Sequence, residues 1–459
     1  MNSEKKLAKN TLILSICTLL NKGLMFIMIP FFTRWLTVED YGIYDLFTTY
    51  VSLLIPIITI ATSNAVFRLS IDSEEKIRNN YIMNGLILVL FNFFIASLII
   101  LIIDYFCNLT LIIPFLILLC GEILDNYFQG YLRALKKISL YGICKSITVI
   151  VIAITVTIFI KFLNLGLSGM IYGYAAGFYI SSLFIIFKTK FWKYLKSAKL
   201  SISSIKELIS YSWALVPNDI SWWIINVSDR QIINMFLGAT ANGIYAIAYK
   251  LPNLCSSVFG VFNVSWQETA TENINNKDRT IFYENILNKT FSIIVSLCIG
   301  ILACNFLFFD YIFDSRYISA RFYTPILIVS IIFSTLSLFY GGIQISLKRP
   351  KANGISTVIG AIVNLAVHIL LIKNLGLYAA ALSTLISNMV VFAIRKSFLK
   401  DTFKLKIHKK SYFYIIFLAY FSIVAMFKFS LFINLINLTL ATFLFIYINI
   451  DIVKKILKR

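Results

Sequence analysis

The sequence predicts an all-α integral membrane protein of about fourteen transmembrane helices. Hydrophobic residues make up 59% of the 459 residues and charged residues only 14%, whereas soluble globular chains carry roughly 25% charged residues. The apolar residues fall into runs of the ~20 residues that a helix needs to cross a bilayer core. Most of the 42 lysine and arginine residues lie in every second connection, as in cytoplasmic loops. Both termini are therefore predicted to be cytoplasmic, which requires an even number of spans.

Fourteen apolar runs are candidates for these spans, and those in the middle of the chain are the hardest to delimit. They lie near 11–33, 43–66, 81–103, 111–132, 142–160, 167–187, 209–228, 243–266, 287–308, 322–346, 354–372, 376–394, 411–427 and 431–450. The first run follows Lys5, Lys6 and Lys9, as the apolar part of a signal peptide would. It is long and no small-residue cleavage site follows it, so it is predicted to be retained as the first helix.

The distribution of the charge and the spacing of the cysteines argue against nucleic-acid binding, disulfides and a metal site. A net charge of +21 would suggest nucleic acid for a soluble protein, but here the basic residues follow the topology, so no nucleic-acid partner is predicted. Contact with anionic membrane lipids is expected instead. The seven cysteines show neither paired nor metal-like spacing, so neither disulfides nor a metal site is predicted.

Recurring phrases indicate that the chain contains an internal duplication. Residues 35–44 (WLTVEDYGIY) return as 236–245 (FLGATANGIY), residues 135–142 match 347–354, and Asn164-Leu-Gly-Leu returns as Asn374-Leu-Gly-Leu. Six helices separate equivalent points, and because six is even the copies should be parallel repeats, related by a pseudo-two-fold axis along the membrane normal. The predicted lobes are 1–200 and 201–400, and 401–459 adds two further helices and a cytoplasmic tail.

These residues resemble the polysaccharide-repeat flippases (Wzx-like, of O-antigen or capsule synthesis) of the MATE-related multidrug, oligosaccharidyl-lipid and polysaccharide exporter superfamily. The resemblance covers essentially the whole chain. It rests on Arg34-Trp-Leu-Thr-Val-Glu-Asp-Tyr-Gly42, on Gln129-Gly-Tyr-Leu-Arg-Ala134, on the Asn-Leu-Gly turns and on the 6+6+2 layout. These phrases are moderately specific for the superfamily and poorly specific for the cargo.

The resemblance implies a transporter and not an enzyme. Its expected cargo is an undecaprenyl-diphosphate-linked oligosaccharide, moved by alternating access from the inner to the outer leaflet of a bacterial cytoplasmic membrane. No cofactor is expected, but a coupling ion, Na+ or H+, is implied by ion antiport in several members. A polysaccharide polymerase and a chain-length protein are the implied protein partners.

Polar residues recur at helical spacing on predicted helices two, four, eight and ten. On helix two they are Asp45, Thr49, Ser52, Pro56, Thr59 and Ser63. This spacing places them on one face of the helix. Two interpretations remain, a water-filled cavity lined by the four stripes, or packing between helices through small and polar side chains.

Cations inside the apolar runs are the predicted cargo contacts. A lysine at the bilayer centre costs roughly 2.5–3.5 kcal/mol, and ammonium groups attract phosphate oxygens. Lys22 lies near the middle of helix one and Lys250 lies in helix eight, although pairing with Asp45 or another carboxylate would also explain Lys22, and snorkelling to an interface would explain either lysine. The predicted cargo-binding set is Lys22, Lys250, Arg34, Arg230, Asn253 and Trp223. An aromatic ring such as Trp223 can stack on a sugar or belong to an interfacial belt.

Carboxylates inside the spans are the predicted ion-coupling groups. The set is Asp45, Glu122, Asp125 and Asp219. At an offset of 212, Ser334 and Ser337 stand opposite Glu122 and Asp125, so these carboxylates belong to the first lobe alone. The alternative is a structural ion pair with Arg133 or Lys145. His368 is interpreted as a hydrogen-bonded packing residue, with a proton carrier as the alternative.

Other functions stay open at this point. Within transport they are a MATE-type cation or drug antiporter and a flippase for the peptidoglycan precursor. From the enzyme class, a membrane polysaccharide polymerase would need a large outer loop or a loop rich in carboxylates. The longest predicted outer loop, near 309–321, carries only Asp310 and Asp314 as acids.

Overall fold

The computed structural model describes residues 2–70, 73–108, 111–347, 350–403 and 405–450. These residues form helices and no strand, which confirms the all-α class. The α-helices are α1 (Asn2–Trp35), α2 (Val38–Thr59), α3 (Thr62–Ser70), α4 (Glu75–Cys107), α5 (Ile112–Ala134), α6 (Ile138–Thr157), α7 (Gly166–Thr189), α8 (Trp192–Ser197), α9 (Ile202–Ser212), α10 (Val216–Ala248), α11 (Lys250–Glu272), α12 (Arg279–Ala303), α13 (Thr324–Ser346), α14 (Pro350–Leu375), α15 (Leu377–Leu399), α16 (Lys409–Val424) and α17 (Leu431–Ile448).

Among the described residues, ten helices are long and apolar enough to cross a bilayer. The number becomes eleven if Val227–Ala248 and Lys250–Ser257, which meet at an angle of 41°, form one broken span. The protein is thus a multi-pass membrane protein. Four predicted spans, near 11–33, 209–228, 243–266 and 411–427, fall outside the ten, and the broken pair overlaps mainly with the third of them, so the number fourteen stays a prediction.

The chain divides into two compact units, Met1–Asn226 and Val227–Arg459. The division falls inside α10. Helix α10 is itself interrupted at Gly238, whose φ of +82° and ψ of 173° are not helical. The predicted lobe boundaries at 200 and 400 remain predictions, since compactness and internal repetition are different criteria for dividing a chain.

Helix boundaries repeat between the units. Helices α5 and α13 both begin and end at an offset of 212, and α6 and α14 begin at the same offset. Gly166 and Gly376, from the two Asn-Leu-Gly-Leu phrases, have φ values of +51° and +54°. Only glycine adopts this left-handed conformation without a steric cost. The repeated phrase therefore places a glycine with positive φ at the start of a helix in both units, although Asn164 also has a positive φ of +52° while Asn374 lies within α14.

The longer repeated phrase encodes the start of a helix. In the first unit, Thr37 caps α2 by accepting a hydrogen bond from Asp40 N at 3.0 Å, as threonine commonly does. At an offset of 201, Gly238 occupies the equivalent position and interrupts α10. The segment after Gly238 is thus the counterpart of the beginning of α2.

Asn84 of α4 binds the segment between α8 and α9. Its Nδ2 donates to the carbonyl oxygen of Lys199 at 2.9 Å, and its Oδ1 accepts from Ser201 N at 3.0 Å. Helix α9 begins at the next residue, Ile202. We call this pair of bonds the first asparagine clamp.

Asn288 of α12 forms the second asparagine clamp. Its Nδ2 donates to the carbonyl oxygen of Lys406 at 2.9 Å, and its Oδ1 accepts from His408 N at 2.8 Å. Helix α16 begins at the next residue, Lys409. The correspondence between the repeats therefore includes the segments 199–201 and 406–408, although these two segments show no obvious sequence similarity.

Helices α16 and α17, which follow the second repeat, pack against α12. Phe421, Ala441 and Leu444 are buried in the same apolar cluster as Ile294 and Cys298 of α12. Asn449 Nδ2, just after α17, donates to Ser296 Oγ at 2.8 Å. These contacts make the last two helices part of the second unit.

Candidate functional site

The candidate site is a polar cavity in the first unit, with a volume of ≈ 380 Å³. Parts of α2, α3, α5 and α6 form its walls, and Asp219 from the beginning of α10 contributes as well. The polar residues that line it are Ser52, Thr59, Ser63, Asn64, Glu122, Asn126, Gln129, Arg133, Tyr141, Lys145 and Asp219. The cavity thus offers carboxylates, cations, amides and hydroxyls in one membrane-embedded helix bundle.

The predicted stripe on helix two borders this cavity in part. Ser52, Pro56, Thr59 and Ser63 line it, whereas Asp45 and Thr49 are buried. Several hydroxyls bond back to the backbone of their own helix. Thr49 Oγ1 donates to Asp45 O, Ser52 Oγ to Thr49 O and Thr59 Oγ1 to Ile55 O. The donors of Ser52 and Thr59 are satisfied within α2, so these two hydroxyls meet the cavity as acceptors.

The junction between α2 and α3 shapes one wall. Ile60 and Ala61 both have a φ of +49°, which is the left-handed region that disfavours residues with a Cβ. On the opposite side Gly130 of α5 touches α3, because a Cβ at this position would lie 2.2 Å from Ser63 Oγ. Ser63 Oγ in turn donates to the carbonyl oxygen of Asn126 at 3.0 Å.

Asp125 and Lys145 form an ion pair beside the cavity. Lys145 Nζ lies 3.2 Å from Asp125 Oδ2. The other carboxylate oxygen, Oδ1, accepts from Ser181 Oγ at 2.9 Å and from Gln129 Nε2 at 3.2 Å. Asp125 is 2% exposed, and three donors compensate its burial, as a buried carboxylate requires. This is the structural ion pair that the sequence offered as the alternative to ion coupling.

Glu122 and Arg133, one turn before and two turns after Asp125 on α5, both line the cavity. The Arg133 guanidinium lies over the ring of Phe67, 4.1 Å from its centroid, so it is positioned by an aromatic face and not by the Asp125 pair. Glu122 adds a second carboxylate close to the pair. Of the predicted ion-coupling set, Glu122 and Asp219 reach the cavity, while Asp125 lies behind its wall.

The predicted cargo-binding residues of the first unit lie on two elements, α1 and the beginning of α10. Lys22 and Arg34 have exposed side chains on α1, and neither is among the described residues that line the cavity. Trp223 donates its indole N–H to the carbonyl oxygen of Thr49 at 3.0 Å. Trp223 therefore joins the beginning of α10 to α2, a contact that the sequence did not predict.

The predicted cargo-binding residues of the second unit surround the bend between α10 and α11. Arg230 Nη1 lies 2.9 Å from Asp229 Oδ1, and the guanidinium stacks over Tyr249 at 4.9 Å. Lys250 begins α11 with a half-buried side chain, and Asn253 is exposed one turn later. Asp229, which is 6% exposed, was missed by the sequence analysis, although an acid next to Arg230 in an apolar run was a usable signal.

His368 on α14 is fully buried. In the part of the chain that the structure describes, neither of its ring nitrogens has a hydrogen-bond partner. The burial agrees with the interpretation as a packing residue. The expected hydrogen bond is not found among the described residues.

The chain matches a protein family and is similar to a named flippase. Residues 7–266 match the model of a family described as polysaccharide biosynthesis protein. Over 407 residues the chain is 22% identical to a protein of Haloferax volcanii named probable low-salt glycan biosynthesis flippase Agl15. The match covers 87% of this chain and 85% of that protein.

Two solved structures share the fold. An inward-facing multidrug resistance MATE family transporter of the MOP superfamily superposes with a TM-score of 0.68 at 15% identity, covering 83% of this chain and 96% of its own. The lipid II flippase MurJ in an inward closed conformation gives a TM-score of 0.67 at 18% identity, covering 98% of this chain and all of its own (100%). The chain therefore has the fold of MOP-superfamily transporters.

Proposed function

This chain belongs to the polysaccharide biosynthesis protein family, and from that membership we propose that it is a flippase for lipid-linked oligosaccharides. The proposed cargo is an oligosaccharide repeat unit on undecaprenyl diphosphate. It moves from the inner to the outer leaflet of the bacterial cytoplasmic membrane, in which both termini of the chain face the cytoplasm. The named glycan flippase among the relatives supports this class of cargo.

The observation that carries the proposal is the polar cavity within a membrane-spanning helix bundle. Amide and hydroxyl side chains on its walls match the hydrogen-bonding groups of sugars, and Arg133 and Lys145 supply cations for phosphate oxygens. Polar and ionisable groups inside a membrane are expensive and mark transport pathways. The lipid tail needs no protein site, because it can stay in the bilayer while the headgroup passes.

Repetition of the helices supports alternating access. Repeated bundles in transporters rock or gate around a fixed site, and here the helix boundaries recur at constant offsets. Breaks at Gly238 and at Tyr249, the residue between α10 and α11, provide places where a span can change direction.

Ion coupling is proposed at the carboxylates of the first unit. Glu122 lines the cavity close to the Asp125–Lys145 pair, and Asp219 lines it from α10. A proton or Na+ bound here would change the charge that the cargo meets. Asp45, buried on α2, completes the proposed set.

Besides Arg133 and Lys145 in the cavity, further headgroup contacts are proposed at described residues that do not line it, namely Lys22, Lys250, Arg34 and Arg230, with Asn253 and Trp223 as neutral partners. Ammonium and guanidinium groups bind phosphate oxygens by charge-assisted hydrogen bonds. For Arg230 the ion pair with Asp229 has to be weakened when phosphate binds. The proposed protein partners are a polysaccharide polymerase and a chain-length protein.

A reconstituted transport assay tests the function. Purified protein in liposomes should move undecaprenyl-diphosphate-linked oligosaccharide, measured as protection of the sugar from an external glycosidase. A MATE-type antiporter would instead exchange a cationic dye, and a peptidoglycan-precursor flippase would move lipid II in the same assay. A polymerase would lengthen the glycan. Dye exchange or lengthening without oligosaccharide translocation would refute the proposal.

A further inference from the structure

Arg395 of α15 is a buried cation whose side chain is held by neutral groups of two other helices, α13 and α14. Its side chain is 7% exposed. Its Nη1 donates to the carbonyl oxygen of Ser337 on α13 at 2.9 Å. On α14, Ser356 Oγ accepts from Nε and Thr357 Oγ1 accepts from Nη2, both at 3.0 Å. Arginine stays protonated in proteins, so this site carries a fixed positive charge.

Two other largely buried arginines of the second unit have a carboxylate partner. Arg321 pairs with Asp310 at 3.0 Å, and Arg230 pairs with Asp229 at 2.9 Å. Within the described ranges, Arg395 has no carboxylate at ion-pair distance, and its side-chain bonds go to two hydroxyls and a carbonyl. The charge of Arg395 is thus solvated by dipoles and is not neutralised there.

The first unit has an ion pair at the equivalent place. At the offset of 212 that relates α5 to α13 and α6 to α14, Ser337 corresponds to Asp125 and Thr357 corresponds to Lys145. Asp125 and Lys145 neutralise each other at 3.2 Å. The second unit has neutral residues at these two positions, and both bond Arg395.

The packing around Arg395 accommodates the guanidinium. A Cβ on Gly341 would lie 2.8 Å from Arg395 Nη1 and 3.0 Å from Asn353 Oδ1, so only glycine leaves the space. Gln344 Nε2 donates to the carbonyl oxygen of Arg395 at 3.2 Å. Residues of α13, α14 and α15 therefore pack together to form a specific site for the guanidinium.

We propose that Arg395 is a specificity-determining residue that favours cargo with a strongly anionic headgroup. The inference rests on the proposed function. The alternation of basic connections predicts that the end of α15 lies on the cytoplasmic side, where the cargo is loaded. Charges inside a low-dielectric bundle act over longer distances than charges in water, so Arg395 raises the electrostatic potential at the loading side without touching the diphosphate.

The decisive variant is Ser337→Asp, which adds a carboxylate while Arg395 stays in place. In the first unit the aspartate at this position reaches residue 145, and in the second unit Arg395 Nη2 lies 3.0 Å from the equivalent Thr357. The new carboxylate should therefore neutralise the guanidinium. Ser337→Asn is the matched control, with nearly the same size and no charge.

Binding to the purified full-length protein is the measurement, with undecaprenyl diphosphate, undecaprenyl phosphate and undecaprenol as probes. Ser337→Asp should raise the Kd for the diphosphate by about fivefold or more, raise that for the monophosphate less and leave that for the alcohol unchanged. Ser337→Asn and Arg395→Lys should keep the wild-type order of affinities. Arg316→Gln, which removes an exposed cation of the same unit, should change none of them.

Equal affinities of Ser337→Asp and Ser337→Asn for the diphosphate would overturn the inference and leave Arg395 as a structural tie between three helices. Wild-type protein that binds the diphosphate no better than the alcohol would overturn it as well. Either result is distinguishable from failure of the proposed function, which would appear as absent translocation of the oligosaccharide in liposomes.

Discussion

Lys145 Nζ lies 3.2 Å from Asp125 Oδ2 and so joins α6 to α5 beside the cavity. The lysine is 41% exposed and the aspartate 2%. Removing the aspartate leaves the hydroxyl of Ser181 and the amide of Gln129 without their acceptor. Because solvent screens the lysine, the loss is smaller than for a fully buried pair.

Asp125→Ala should therefore lower the free energy of unfolding by about 1–2 kcal/mol, and Lys145→Met by at least as much, because it leaves the buried carboxylate of Asp125 without its counter-charge. The check is thermal unfolding of the purified protein in detergent. In a double-mutant cycle the two effects should be less than additive. Additive effects would contradict a direct interaction.

Glu122→Gln should uncouple transport of the cargo from the ion gradient that is proposed to drive it. The substitution keeps the size of the side chain and removes its charge and its exchangeable proton. If Glu122 carries the coupling ion, the variant should move cargo equally fast with and without an imposed pH or Na+ gradient. Flipping rates in liposomes under both gradients are the measurement. Wild-type gradient dependence in the variant would refute the assignment, and Glu75→Gln, at the exposed beginning of α4, is the control.

Lys22→Ala and Lys250→Ala should abolish surface polysaccharide while the protein still inserts in the membrane. Each variant loses a cation proposed to contact the diphosphate. Arginine at the same positions should restore part of the activity, because charge is kept although the geometry differs. Polysaccharide is measured on whole cells and insertion by immunoblot of membranes. Normal polysaccharide in both alanine variants would remove these residues from the proposed site.

The asparagine clamps should contribute to stability in both units. Asn84→Ala and Asn288→Ala each remove two hydrogen bonds between distant segments, at a cost of about 1–3 kcal/mol. Limited proteolysis should then cut near residues 199–201 or 406–408 before other sites. Asn276→Ala, at an exposed turn, should leave the pattern unchanged. Unchanged cleavage in the clamp variants would show that these bonds do not hold the segments.

Gly166→Ala and Gly376→Ala should each destabilise the protein by about 1–2 kcal/mol. A Cβ meets no atom within 4 Å at either glycine, so the cost comes from the left-handed backbone alone. Gly354→Ala, within α14 and equally open, should be neutral or stabilising because alanine favours helix. Melting temperatures of the three variants check the contrast. A higher melting temperature for Gly376→Ala than for the wild type would contradict the positive φ at this turn.

The repeats could be read from the sequence because glycine and asparagine mark turns that tolerate few substitutions. The Asn-Leu-Gly phrases predicted the shared turns at Gly166 and Gly376, and composition predicted the all-helical membrane class. The polar face of helix two was visible in its spacing, and part of it borders the cavity. These features depend on local residue preferences.

Contacts between distant segments could not be predicted from local residue preferences. Asn84 and Ser201 are joined by a hydrogen bond, yet nothing near either residue indicates the other. Arg395 sits next to a basic connection, so its position along the chain suggested topology and not burial. Trp223 looked like a residue for sugars, but its N–H meets the backbone of α2.

The junction at Ile60 and Ala61 has no counterpart in the second unit, where α11 runs without interruption through the equivalent residues 261 and 262. Two consecutive side-chain-bearing residues in the left-handed region cost about 1–2 kcal/mol each. This wall of the cavity therefore contains a strained backbone, which its neighbours restrain. Since glycine at either position would adopt this conformation without the steric cost, packing around the junction and not local residue preference holds the bend between α2 and α3.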